Sequence, residues 1–181
     1  MELDGIFNSK KLALVTLLGT VAFVSNAFLP SPADKMFIVI QALAFALGSL
    51  AMAKSGAMFA ALVNGILLSV LRAGFFPFSL IFSVAYGLLI EVFFQVFKVN
   101  EANQIRSRRL IFALALASGV IGLLSMYLTT LLKLIPMAAP LYVGVLVVGV
   151  INGVAAGYLA VRVWNKYLKA WFTKKYTINR P

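Results

Sequence analysis

Hydrophobic positions in this chain fall into six long blocks, approximately Leu12–Leu29, Phe37–Ala53, Ala57–Leu71, Phe78–Phe97, Leu110–Leu132 and Met137–Val163. Most approach the ~20 apolar residues that carry a helix across a hydrocarbon core. The third is short and suits a span with little tilt or one shielded by its neighbours. The blocks are continuously apolar, whereas strands of a membrane barrel alternate apolar and polar residues over ~10 positions. The pattern therefore predicts an all-α integral membrane protein, a bundle of six transmembrane helices forming one domain over 1–181. The separators carry turn and charge signals: Pro30 to Lys35, Lys54-Ser55-Gly56, Arg72-Ala73-Gly74, Lys98 to Arg109, and Lys133 to Pro136.

Composition supports this picture and narrows the chemistry. Of the 181 residues, 62% are hydrophobic, and the mean hydropathy is +1.00. Soluble domains are about 45–50% apolar. Cysteine and histidine are both absent. That removes disulfides, the usual zinc, copper and haem ligand sets, Cys nucleophiles and His-dependent triads. No metal and no cofactor are expected. Walker A, dinucleotide-binding and paired-carboxylate motifs are also missing, so an enzyme is not expected.

The net charge is +11, but its placement points to topology, and no nucleic-acid partner is expected. Alternating the sides of six spans puts Lys10, Lys11, Lys54, Lys98, Arg106, Arg108, Arg109, Arg162, Lys166, Lys169, Lys174, Lys175 and Arg180 together. Only Lys35, Arg72 and Lys133 fall on the other side. The positive-inside rule then puts both termini in the cytoplasm of a multi-pass cell-membrane protein. The first block also fits a cleavable signal peptide, with Lys10-Lys11 before it and Ser25-Asn26-Ala27 at its end, although its apolar run is long for one. Beyond the last block, Trp164, Tyr167, Trp171, Phe172 and Tyr176 mix with basic residues. That mixture suits the lipid headgroup layer or a cytoplasmic partner.

Glu91 is the only acidic residue inside a block, in Gly87-Leu88-Leu89-Ile90-Glu91-Val92-Phe93-Phe94-Gln95. A charged side chain at mid-membrane costs about 2.5–3.5 kcal/mol on the insertion scale, so it faces the bundle and takes a partner. Gln95 shares its helix face. Glu91 is read as a ligand contact, a proton site or a hydrogen-bonded packing residue. Gln41, Asn64, Tyr86, Tyr127, Tyr142 and Asn152, with Arg72 at the outer mouth, form a second candidate set. Tyr and Asn stack on and hydrogen-bond a small polar ring, so the set suggests a pocket open to the outside. Small residues recur at packing spacing: Gly149, Gly153 and Gly157; Ala57, Ala61 and Gly65; Thr16 and Thr20. Such stripes serve packing within the chain or a sliding contact with a partner membrane protein.

The layout resembles the substrate-binding S components of energy-coupling factor (ECF) transporters. The residues that carry the resemblance are Lys54-Ser55-Gly56-Ala57-Met58-Phe59, the stretch through Gly74, Phe76-Pro77, Gly87, Glu91 and Phe94 to Lys98, and Gly149-Val150-Ile151-Asn152-Gly153. The YkoE-like branch, linked to thiamine or hydroxymethylpyrimidine, is the most similar. This resemblance implies an ABC transporter subunit for vitamin uptake that binds a small molecule from outside under a lid at Leu29–Lys35. It also implies a membrane coupling subunit and two ATPase subunits as partners. The coupling contact would use Thr16 and Thr20 where many S components have Ala-x-x-x-Ala. A small ion- or proton-coupled carrier using Glu91 and a non-transport accessory subunit are the alternatives.

Overall fold

The computed structural model of the chain describes residues 9–27, 38–52, 55–71, 77–101, 104–131 and 139–169. They form six helices: α1 Ser9–Ala27, α2 Ile38–Met52, α3 Gly56–Leu71, α4 Phe78–Val96, α5 Ser107–Leu131 and α6 Ala139–Val163. Each coincides with one apolar block to within a few residues. A π-turn at Trp164–Leu168 prolongs α6. Between α4 and α5 lies a minimal antiparallel ladder, β1 Asn100–Glu101 on β2 Gln104–Ile105, in a stretch that the sequence pattern assigns only as a loop.

Among the described residues, four helices are long and apolar enough to cross a membrane: α1, α4, α5 and α6 with its π-turn. Their outward faces are hydrocarbon, including Leu17, Val21, Ile81, Leu88, Phe112, Leu131, Val143 and Ile151. Exposed apolar surface of this extent marks a membrane or protein contact, and the length of these helices suits a membrane. The remaining two, α2 and α3, are apolar but shorter, 15 and 16 residues, or about 22 and 24 Å at 1.5 Å per residue. Every residue of α2 from Ala44 to Met52 is buried. A helix apolar on all sides is a core helix, and α2 is packed by α1, α3 and α6.

Small residues set the helix spacing. A Cβ on Gly56 would run into the carbonyl of Gly48, and one on Gly87 would sit 2.5 Å from the Ala61 Cβ. Thus α2 meets α3, and α3 meets α4, nearly backbone to backbone. The same holds between α5 and α6. Gly149, Gly153 and Gly157 face Ser118, Leu114-Ala115 and Ile111, a descending register that makes the two helices antiparallel.

The end of α4 is defined by its hydrogen bonds. Lys98 N–H donates to the Gln95 carbonyl at 3.1 Å and Val99 N–H to the Phe94 carbonyl at 3.0 Å. Lys98 has φ 48°, the left-handed residue of a Schellman motif. Val99 and Phe94 are both buried in the core, which supplies the hydrophobic contact that accompanies this cap. Arg106 N–H then bonds the Val99 carbonyl at 3.0 Å, closing the loop into α5.

Candidate functional site

The buried face of α4 is Ser83, Tyr86, Gly87, Ile90, Glu91 and Phe94, a three-and-four spacing that aligns three polar side chains on one stripe. Between them the polar members reach α2, α3 and α5. Ser83 Oγ donates to the Ala61 carbonyl at 2.6 Å and accepts from Asn64 Nδ2 at 2.8 Å, both on α3. The Tyr86 hydroxyl shares a 2.6 Å hydrogen bond with Ser118 Oγ on α5. Its ring stands edge-on to Phe45 of α2, centroids 5.7 Å apart. Glu91 reaches both α2 and α3.

Glu91 is 7% exposed. Its Oε1 accepts the Ala57 N–H at 2.7 Å, and its Oε2 accepts the Ser49 hydroxyl at 3.1 Å. Ala57 is the second residue of α3, and Ser55, just before that helix, has φ 64°. The first amides of a helix lack partners inside it. A side-chain oxygen there satisfies them, and the partial positive charge of the helix start favours an acid. Glu91 therefore caps α3 from across the bundle and pins α2, α3 and α4 at one level. Of its three sequence-based readings, the hydrogen-bonded packing residue describes this arrangement most directly.

A cavity of about 250 Å³ adjoins the carboxyl, lined by Ser49, Leu50, Glu91, Phe94, Gln95, Lys98 and Asn100. Gln95, expected on the Glu91 face, lines it. The cavity sits at the α4 terminus that carries Lys98, not at the Phe78 end.

The candidate set does not gather around one outward pocket. Asn64, Tyr86 and Glu91 share the α4 seam, but the others are dispersed. Gln41 is half-buried on the first turn of α2. Tyr127 projects outward from α5. Tyr142 donates to Thr130 Oγ1 at 3.0 Å, tying α6 to α5. Asn152 is half-buried on α6 and engaged. Arg72 and Leu29–Lys35 lie outside the described residues. An aromatic or amide side chain inside an apolar block does not reveal its helix's rotation, and rotation decides which side chains meet.

Of the two readings of the small-residue stripes, packing within the chain is the one that the contacts of the α6 glycines match. Gly149, Gly153 and Gly157 are covered by α5 of the same chain and present no free contact face. Thr16 and Thr20 are exposed on α1, where Thr20 Oγ1 bonds the Thr16 carbonyl at 3.0 Å. That bond satisfies the hydroxyl and leaves the face apolar.

Ser49, Ser83 and Ser118 belong to the seam but not to the sequence-based set. Their signal was present: a hydroxyl in an apolar block needs a partner, and three buried acceptors or donors elsewhere were waiting for one. One group stays unmatched. Asn64 is fully buried, and its Oδ1 has no hydrogen-bond partner among the described residues. Comparison with known proteins gives no matching family model, no matching curated protein and no matching solved structure.

Proposed function

We propose that this chain is the substrate-binding membrane subunit of an energy-coupling factor importer. It crosses the membrane six times with both termini inside and binds a small vitamin or vitamin precursor. Thiamine or hydroxymethylpyrimidine is favoured by the resemblance of the Lys54–Lys98 stretch. The short helices fit six spans because α2 is sheathed by its neighbours and needs little lipid-facing length. The C-terminus of α4, the start of α5 and the end of α6 carry Lys98, Arg106, Arg108, Arg109, Arg162, Lys166 and Lys169, as a cytoplasmic face requires.

The observation that carries the binding role is the unpaired Oδ1 of Asn64. A buried acceptor without a donor costs about 1–3 kcal/mol, and a ligand N–H or O–H would remove that penalty. Ser83, Tyr86 and Phe45 surround the same seam with a hydroxyl, a phenol and an aromatic face, which suit a heteroaromatic ring bearing an amine. Asn64 is enclosed, so entry requires α3 and α4 to part. The chain performs no chemistry in this scheme, and ATP turnover belongs to the coupling partners. The test is titration of purified protein with thiamine, hydroxymethylpyrimidine and other vitamins by tryptophan fluorescence or calorimetry. Saturable binding that Asn64→Leu abolishes is expected. No binding across the panel, with no co-purifying ATPase, overturns the proposal.

A second reading has its own support, since Glu91 lines the cavity beside Lys98. A gradient-driven carrier would use that carboxyl as its proton site. It predicts uptake without ATPases and loss of uptake in Glu91→Gln.

A further inference from the structure

The outer face of α5 does not close fully against α6. Arg108, Ile111, Phe112, Ala115 and Leu116 line an open groove of about 440 Å³ with Val150 and Val154 of α6. The cause is local. The α6 glycines bring the two backbones together, so Gly153 lies against the Ala115 backbone. Ala115 is too short to fill the angle beside that contact, and Phe112 and Val154 stand up as its rims.

The groove is hydrocarbon along its length and ends in one cation. Positions 108, 111, 112, 115 and 116 share a helix face, so Arg108 terminates the apolar stripe about 12 Å from Leu116. Arg108 is exposed, and its guanidinium makes no hydrogen bond or ion pair with another described residue. Arg106 and Arg109 flank it on the same turn, and no acidic residue lines the groove.

We propose that this groove seats one acyl chain of an anionic glycerophospholipid whose phosphate is held by Arg108. The proposal rests on the membrane placement above. An acyl chain has the length and polarity of the trough, and a guanidinium pairs with phosphate oxygens in bidentate fashion. An arginine at a span's end also lays its stem along apolar surface and keeps its head at the headgroup level. A zwitterionic lipid would fill the trough as well, but its ammonium opposes Arg108. The choice of the anionic lipid therefore resides in that side chain.

Native mass spectrometry tests this on detergent-purified protein given equimolar phosphatidylglycerol and phosphatidylcholine. One retained phosphatidylglycerol is expected, favoured about fivefold, the contribution of one basic contact at a membrane surface. Arg108→Gln should erase the preference while lipid is still retained. Val154→Trp, which fills the trough from its rim, should reduce retention of both lipids. Lys10→Gln removes the same charge from α1 and should leave the preference intact. Equal retention of the two lipids by the unmodified protein, or a preference that survives Arg108→Gln, overturns the proposal. So does a second protein that co-purifies without lipid and is lost in Val154→Trp. Any of these outcomes in detergent leaves the membrane placement standing. A protein that stays folded and monomeric without detergent would remove both.

Discussion

Replacing Glu91 by alanine isolates what its carboxyl does. In the native chain Oε1 satisfies the Ala57 amide and Oε2 the Ser49 hydroxyl. Alanine removes both acceptors. Ser49 can turn its hydroxyl to a carbonyl one helical turn back, an ordinary refuge for serine in a helix, so its share of the loss is small. The Ala57 amide has no such freedom, and an orphaned buried donor costs about 1–3 kcal/mol. The lost side chain removes packing of about 0.8 kcal/mol per buried methylene. The expected destabilisation is about 2–4 kcal/mol, or roughly 5–15 °C in Tm at the 2–4 °C per kcal/mol of a chain this size. Glu91→Gln behaves differently. Its amide oxygen still accepts from Ala57, and its NH₂ donates to Ser49, so the expected loss is below about 1 kcal/mol. Thermal unfolding in detergent, followed by loss of the monomer peak on size exclusion, measures both variants. An alanine variant as stable as the parent would refute the capping argument, as would a glutamine variant as damaged as alanine. The same pair separates the functional readings. A proton site fails in Glu91→Gln while the protein stays folded, whereas a cap does not.

Further predictions follow from backbone geometry. Gly56→Ala places a Cβ against the Gly48 carbonyl; relief requires moving α2 from α3, so loss of monodisperse protein on size exclusion is expected. Gly153→Leu has a similar effect through the Leu114 carbonyl, 2.5 Å from the added Cβ, and a folded Gly153→Leu protein would show that α5 and α6 are not in contact there. Lys98→Gly should raise thermal stability, by up to about 1 kcal/mol, because Lys98 holds φ 48°, a left-handed conformation that costs a residue with a side chain about 1–2 kcal/mol, partly offset by glycine's larger loss of chain entropy on folding. An unchanged or lower Tm would place the left-handed residue elsewhere. Asn64→Leu removes the unpaired acceptor and, in the absence of ligand, should leave stability unchanged or raise it, since an apolar replacement of an unsatisfied group is often favourable. A large drop would show that the amide's bond to Ser83 outweighs its orphaned oxygen.

The helices were legible because their signal is energetic and local. A run of apolar residues long enough to cross a bilayer has one low-energy form, so the block edges at Phe78 and Val163 match helix ends to the residue. Glu91 was legible as a buried group needing a partner, since a lone carboxyl among valines, leucines and phenylalanines admits little else. Its partner was not legible. Ala57 offers a backbone amide, which no residue type advertises, and Ser49 is 42 positions away. The dispersal of Tyr127, Tyr142 and Asn152 has the same origin. In water, an amphipathic stripe reports which face of a helix is buried. In these blocks both faces are apolar, so the rotation of each helix is set by close contacts such as Gly87 on Ala61 and Gly153 on Ala115. Those contacts also decide the fate of the glycine stripe. At every fourth position on α6 it could serve a partner or a neighbour, and the length of the α5–α6 hairpin lets α5 reach it first. Glycine spacing in a membrane chain thus specifies how close two helices come, and connectivity alone does not specify which two, since Gly19 of α1 lies against Ala60 and Val63 of α3, two helices on.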